Sequence, residues 1–77
     1  MKQVVYRQNN MFIIDKDLIT GPVNKRDQIC NALYAAIYVE FMGANENPTY
    51  KNQTHFQRVK ALNEFAYGWL KSRGLIE

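Results

Sequence analysis

The stretch that decides the fold runs from Ile29 to Met42 and reads ICNALYAAIYVEFM, in which only Asn31 and Glu40 are plainly polar. It is too short to span a membrane, so it predicts a buried helix and no membrane partner. A helix that is apolar on nearly every side must be covered on nearly every side. A chain of 77 residues offers little material for that cover, so we expect a second copy of the chain to supply part of it.

Two segments rich in β-branched and aromatic residues come before this helix and predict a β-hairpin. They are residues 2–7 (KQVVYR) and 11–15 (MFIID), separated by the QNN of residues 8–10. Asparagine tolerates the left-handed backbone that tight hairpin turns need. Residues 18–20 (LIT) then offer a third short strand.

A two-residue turn would pair Tyr6 with Ile13 and Val5 with Ile14. Both faces of the hairpin would then be apolar at their centres, whereas a sheet with one hydrated face should alternate cleanly. This excess of apolar surface on the hairpin, together with the apolar helix, predicts self-association as a homodimer. The residues predicted to take part are Phe12, Ile14, Tyr34 and Tyr38.

Capping signals define two helices after the hairpin. Asn24 suits an N-cap and Gly43 suits a helix end, while Thr54 with Gln57 three residues later fits a capping box and Gly74 a second helix end. The predicted architecture is a single α+β domain over residues 1–77, ββ(β)αα. Its predicted segments are a small sheet over 1–20, helix 1 over 24–42, a polar connection over 43–53 and helix 2 over 54–73.

Helical spacing gives helix 1 two unlike apolar faces. The bulky face comprises Ile29, Cys30, Leu33, Tyr34, Ile37 and Phe41, and the small face comprises Ala32, Ala35, Ala36 and Val39. Small side chains allow a second backbone to approach closely. Glu40 lies on the side predicted to be buried, so it either extends past the core to solvent or lines a small pocket with tyrosines.

Composition excludes several kinds of active site. Cys30 is the only cysteine and His55 the only histidine, so the chain holds neither a disulfide framework nor a multi-cysteine or histidine metal site. Its four glycines occur singly, without a phosphate-binding loop. The sequence predicts no catalytic residues, no metal and no cofactor. Without disulfides or a secretory pattern, a cytoplasmic location is expected.

Nucleic-acid binding is one alternative that the residues leave open. The net charge is +3 and the pI about 9.2, which is only mildly basic. About eleven residues separate the two helices, too many for a helix-turn-helix. The hairpin edge nevertheless offers polar and basic side chains that could contact phosphates: Lys2, Arg7, Asn9, Asn10 and Lys16.

The favoured interpretation is a small non-enzymatic protein that binds other proteins. Chains under 80 residues with surplus apolar surface are typical of inhibitors or regulators of a larger protein, of the kind that phages and mobile elements encode. A second alternative is a small-ligand pocket at the subunit interface, beside Glu40. The residues predicted to face a protein partner are Tyr50, Lys51, Lys60, Tyr67 and Lys71.

Overall fold

The computed structural model describes residues 3–9, 11–43 and 52–76, which form an antiparallel hairpin followed by two helices. The predicted α+β architecture is confirmed. The main elements are β1 (Val5–Gln8), β2 (Met11–Ile14), α1 (Arg26–Ala36) and α2 (His55–Ser72).

The hairpin has the predicted register, with Val5 opposite Ile14 and Tyr6 opposite Ile13. Asn9 supplies the left-handed turn residue, at φ 57. Opposed residues share a face, so Val5 and Ile14 both point into the core and are buried. On the other face Met11 is 69% exposed. Tyr6 and Ile13 on this second face are half-buried, so the chain covers one apolar face of the hairpin fully and the other in part.

The segment after β2 turns instead of adding a strand. Lys16–Leu18 form a 3-10 turn that Asp15 caps, since its carboxylate accepts a hydrogen bond from the Asp17 N–H. Thr20 then binds the C-terminal end, donating from its backbone N–H (2.7 Å) and its hydroxyl (2.8 Å) to the carbonyl of Leu75. The optional third strand over 18–20 is thus not formed, because the capped turn and this contact satisfy the backbone another way.

One apolar core joins the hairpin, both helices and the C-terminal end. β1 packs against α2, and α1 packs beneath the segments that follow β2. The buried core residues are Val4, Val5, Ile14, Ile19, Cys30, Leu33, Ile37, Leu62, Ala66, Leu70 and Ile76.

Helix 1 is less regular than the sequence suggests at both ends. Residues 23–25 form a 3-10 turn, so Asn24 lies inside that turn and does not cap the helix. Regular α-helix ends at Ala36, and a π-helical turn follows over Ile37–Phe41, closed by the Met42 N–H donating to the Ile37 carbonyl at 3.0 Å. Gly43, at φ 73, ends the helix as predicted.

Helix α2 has the predicted signals at both ends. The Thr54 hydroxyl accepts from the Gln57 N–H, and the Gln57 side chain accepts from the Thr54 N–H, which completes the capping box. At the other end, the Gly74 N–H donates to Lys71 and the Leu75 N–H to Leu70. This pair of bonds is the Schellman motif, with Gly74 at φ 69.

Two glycines in and after α2 should respond to alanine in opposite ways. Gly68 is exposed in the helix and an added Cβ would meet nothing within 4 Å, so Gly68→Ala should raise the free energy of unfolding by about 1 kcal/mol. Gly74→Ala should lower it by about 1 kcal/mol, because L-residues resist a positive φ. Urea unfolding of both variants measures this, and effects of the same sign would contradict the helix end described.

Candidate protein-interaction surfaces

An aromatic cluster joins the hairpin to α1. The ring centroid of Phe12 lies 5.6 Å from that of Tyr34 and 5.9 Å from that of Tyr38. The Ile14 N–H donates to the Tyr34 hydroxyl at 3.1 Å. The structure thus brings the four residues predicted for self-association together. Ile14 needs a correction, because it lies on the hairpin face that packs against the helices and is buried, so it supports the cluster from inside.

The outer face of α1 is the exposed side of this helix and of the π-helical turn after it, and its centre carries no charged residue. It comprises six exposed residues: Gln28, Asn31, Ala32, Ala35, Tyr38 and Val39. Asp27 lies at its edge, one turn before Asn31, and pairs with Lys16. Tyr38 is 55% and Val39 71% exposed. Most of the predicted small face therefore faces solvent, while Ala36 is half-buried. This surface of small and apolar side chains suits close approach by another chain.

The π-helical turn decides between solvent and core for Glu40, which the sequence left open. A π turn holds more residues than an α turn, so each residue rotates less about the helix axis. Ile37 stays buried and Phe41 half-buried, whereas Glu40 turns away from the core and is exposed. The ligand pocket suggested beside Glu40 would lie between two subunits, so it stays a prediction.

The residues predicted to face a protein partner are only partly described. Lys60 and Lys71 are exposed on α2, and Tyr67 is half-buried. Tyr50 and Lys51 lie outside the described residues. Helix α2 thus presents two of the five predicted side chains fully to solvent.

A shallow groove lies between α2 and the segment that precedes β1. Its volume is about 290 Å³. Phe56 at its rim is 76% exposed, while Val59 is buried. Helical spacing places Phe56 only on the margin of the apolar face of α2, so the sequence gives little sign of this role. The lining residues are Gln3, Phe56, Val59, Lys60, Asn63 and Glu64.

Asn63 connects this groove to the hairpin and is a functional candidate that sequence analysis missed. It is 6% exposed, and its Oδ1 accepts hydrogen bonds from the N–H groups of Val4 (2.6 Å) and Val5 (3.0 Å). Tyr34 binds the Ile14 N–H on the opposite edge of the hairpin. Side chains from both helices thus satisfy edge N–H groups that would otherwise be unpaired.

The two described cations of the hairpin edge, Arg7 and Lys16, form contacts within the chain. The Arg7 Nε donates to the Asn9 carbonyl at 2.8 Å, and Lys16 forms an ion pair with Asp27. The hydrogen bond and the charge of Asp27 raise the pKa of Lys16. Lys2 and Asn10 lie outside the described residues.

Cys30 is a core thiol, 3% exposed. Burial raises the pKa of this thiol, which keeps it protonated. Within the described residues, no three His, Cys, Asp or Glu side chains come close enough to hold a metal ion. Neither described helix has the length and apolar character to cross a membrane.

Three comparisons with known proteins found no similar protein. No family model matches the chain, and no curated protein and no solved structure shows detectable similarity to it. A functional assignment therefore rests on the surfaces of the described residues.

Proposed function

We propose that this chain is a small non-enzymatic protein-binding module that forms a homodimer through the outer face of α1. The observation that carries the proposal is the exposure of Tyr38 and Val39 on a face whose centre has no charged residue. Exposed apolar side chains that are contiguous mark interaction sites more often than isolated ones do.

A second copy is the partner that this face fits best. The chain carries a net charge of +3, so repulsion between two copies opposes their contact least where the buried surface holds no cation. The outer face of α1 meets that condition, because burying it leaves no charge unpaired. Ala32 and Ala35 let two helices approach closely about a two-fold axis, and the Tyr38 rings add contact area at low entropy cost.

Charge placed at the centre of this face should abolish self-association. Ala35→Glu puts a carboxylate where the second copy would pack, and the desolvation of two such groups opposes the contact. Gly68→Glu is the matched control, because it adds the same charge at an exposed position of α2. We expect light scattering across a hundredfold concentration range to show a dimer for the parent and for Gly68→Glu, and a monomer for Ala35→Glu.

Circular dichroism should show that all three proteins are folded. A parent chain that is monomeric throughout the concentration range would rule out the proposed dimer. A dimer that persists in Ala35→Glu would show that the contact lies on another surface.

The dimer would act on a larger protein as an inhibitor or regulator, of the kind that phages and mobile elements encode. Lys60, Tyr67 and Lys71 on α2, with Tyr50 and Lys51, are the residues proposed to face that partner. The three α2 residues lie on a different helix from the proposed dimer contact. A buried free thiol fits the reducing cytoplasm, where we propose that the protein works.

The alternatives have less support from the described residues. Arg7 and Lys16 already contact Asn9 and Asp27, so phosphate binding would have to compete with these contacts. Glu40 is exposed in the single chain, so a ligand pocket there would need walls from a second subunit. A steep loss of affinity with salt would be the sign of nucleic-acid binding.

A further inference from the structure

We propose that the groove beside Phe56 binds an extended peptide segment of a partner protein, with side chains in the order apolar, acidic, basic at alternate positions. This inference rests on the proposed protein-binding function but does not depend on self-association. The groove and the outer face of α1 have no residue in common.

The spacing of three side chains on α2 matches an extended peptide. Phe56, Lys60 and Glu64 follow one another at intervals of four residues along one wall of the groove. Side chains four apart on a helix lie about 6 Å from each other. Alternate side chains of an extended chain lie about 7 Å apart on one face. Three alternate peptide side chains can therefore meet these three residues in turn.

The chemistry of the wall sets the order of the peptide side chains. Phe56 is a large, exposed ring at one end, and the buried Val59 lies beside it, so an apolar side chain fits there. Lys60 and Glu64 are both exposed, and neither forms an ion pair with another described residue. An acidic side chain would pair with Lys60, and a basic one with Glu64.

Asn63 supplies a donor for the peptide backbone. Its Oδ1 must face the N–H groups of Val4 and Val5, which fixes the orientation of its amide. Among the described residues, none accepts a hydrogen bond from its Nδ2, and this nitrogen is not one of the fully buried unpartnered atoms, so it is open to the groove. A peptide carbonyl placed over Asn63 would accept from this donor in place of water.

The inference is tested with fluorescent peptides and anisotropy measurements on the full chain. The first probe is acetyl-Ser-Leu-Ser-Glu-Ser-Lys-Ser-amide. The second has the reverse order of residues, so that both chain directions are covered. Each probe also has a version in which Glu and Lys are exchanged. We expect saturable binding of one direction with the original charges. Phe56→Ala should weaken it about tenfold, as the loss of an aromatic anchor does.

Reversing both wall charges gives the sharpest test. The double variant Lys60→Glu, Glu64→Lys should no longer bind the original peptide. It should bind the version in which Glu and Lys are exchanged. This double variant keeps a stable helix, because Glu before Lys at this spacing favours helix formation. Gly68→Glu is the control, since it adds a charge at an exposed position of α2 outside the groove, and it should bind like the parent.

Three results would overturn the inference: no saturable binding of any probe, equal binding of both charge patterns by the parent, or no exchange of preference in the double variant. Ala35→Glu separates this test from that of the dimer. Peptide binding by that monomeric variant would support the groove, and failure of the dimer alone would leave the groove binding intact.

Discussion

Asn63→Ala is expected to lower the free energy of unfolding by about 3 kcal/mol. The substitution removes the acceptor of two hydrogen bonds, from the Val4 and Val5 N–H groups, and both of those residues are at most 1% exposed. Leaving a buried donor unpaired costs about 1–3 kcal/mol. The groove can admit water to part of this site. The loss for the two donors should therefore be less than about 6 kcal/mol, which is twice the upper cost of one unpaired donor.

Urea unfolding followed by circular dichroism measures this effect. A single core in a domain of this size rarely supplies more than about 3–5 kcal/mol, so Asn63→Ala should be close to its unfolding midpoint without denaturant. Asn31→Ala is the matched control, because it removes the same amide from an exposed helix position. A loss no greater in Asn63→Ala than in Asn31→Ala would mean that Asn63 does not hold the hairpin.

Leu33→Ala is expected to have an effect of similar size by a different mechanism. Leu33 is 0% exposed and lies on the side of α1 that faces the core. Truncating a buried leucine to alanine removes apolar contacts and leaves a cavity, at a cost of about 2–5 kcal/mol. Because one core joins the hairpin and both helices, the whole chain should lose stability together.

Two comparisons separate the cavity from other effects of this substitution. Leu33→Met nearly conserves the volume and should cost less than about 1.5 kcal/mol. Val23→Ala removes methyl groups from a side chain that is 76% exposed, so it should change stability by less than about 0.5 kcal/mol. If Leu33→Met were as destabilising as Leu33→Ala, the packing around Leu33 would have to differ from that described.

The two side chains that bind the edges of the hairpin, Tyr34 and Asn63, also adjoin the proposed surfaces. Tyr34 binds the edge of β2 and touches Phe12, and Phe12 in turn touches the exposed ring of Tyr38. Asn63 binds the edge of β1 and lines the peptide groove. Each proposed surface is therefore continuous with a contact that holds the hairpin, so its side chains sit on packed elements rather than on free loops.

The sequence by itself determined the features that depend on neighbouring residues. The hairpin register follows from a two-residue turn that contains Asn9, and the ends of α2 follow from Thr54, Gln57 and Gly74. In each case, the hydrogen bonds or backbone angles involve residues that are close in the chain, so local patterns suffice to predict them.

Only the tertiary structure decided which faces are covered. The π-helical turn moved Glu40 to the surface, and packing left Ala35 and Val39 exposed while Ile14 was buried. Asn63 became a hairpin contact because folding brought it beside Val4, 59 residues away in the chain. Helical spacing predicts that a side chain lies on a given face, but the element that packs against that face depends on long-range contacts, which no local pattern records.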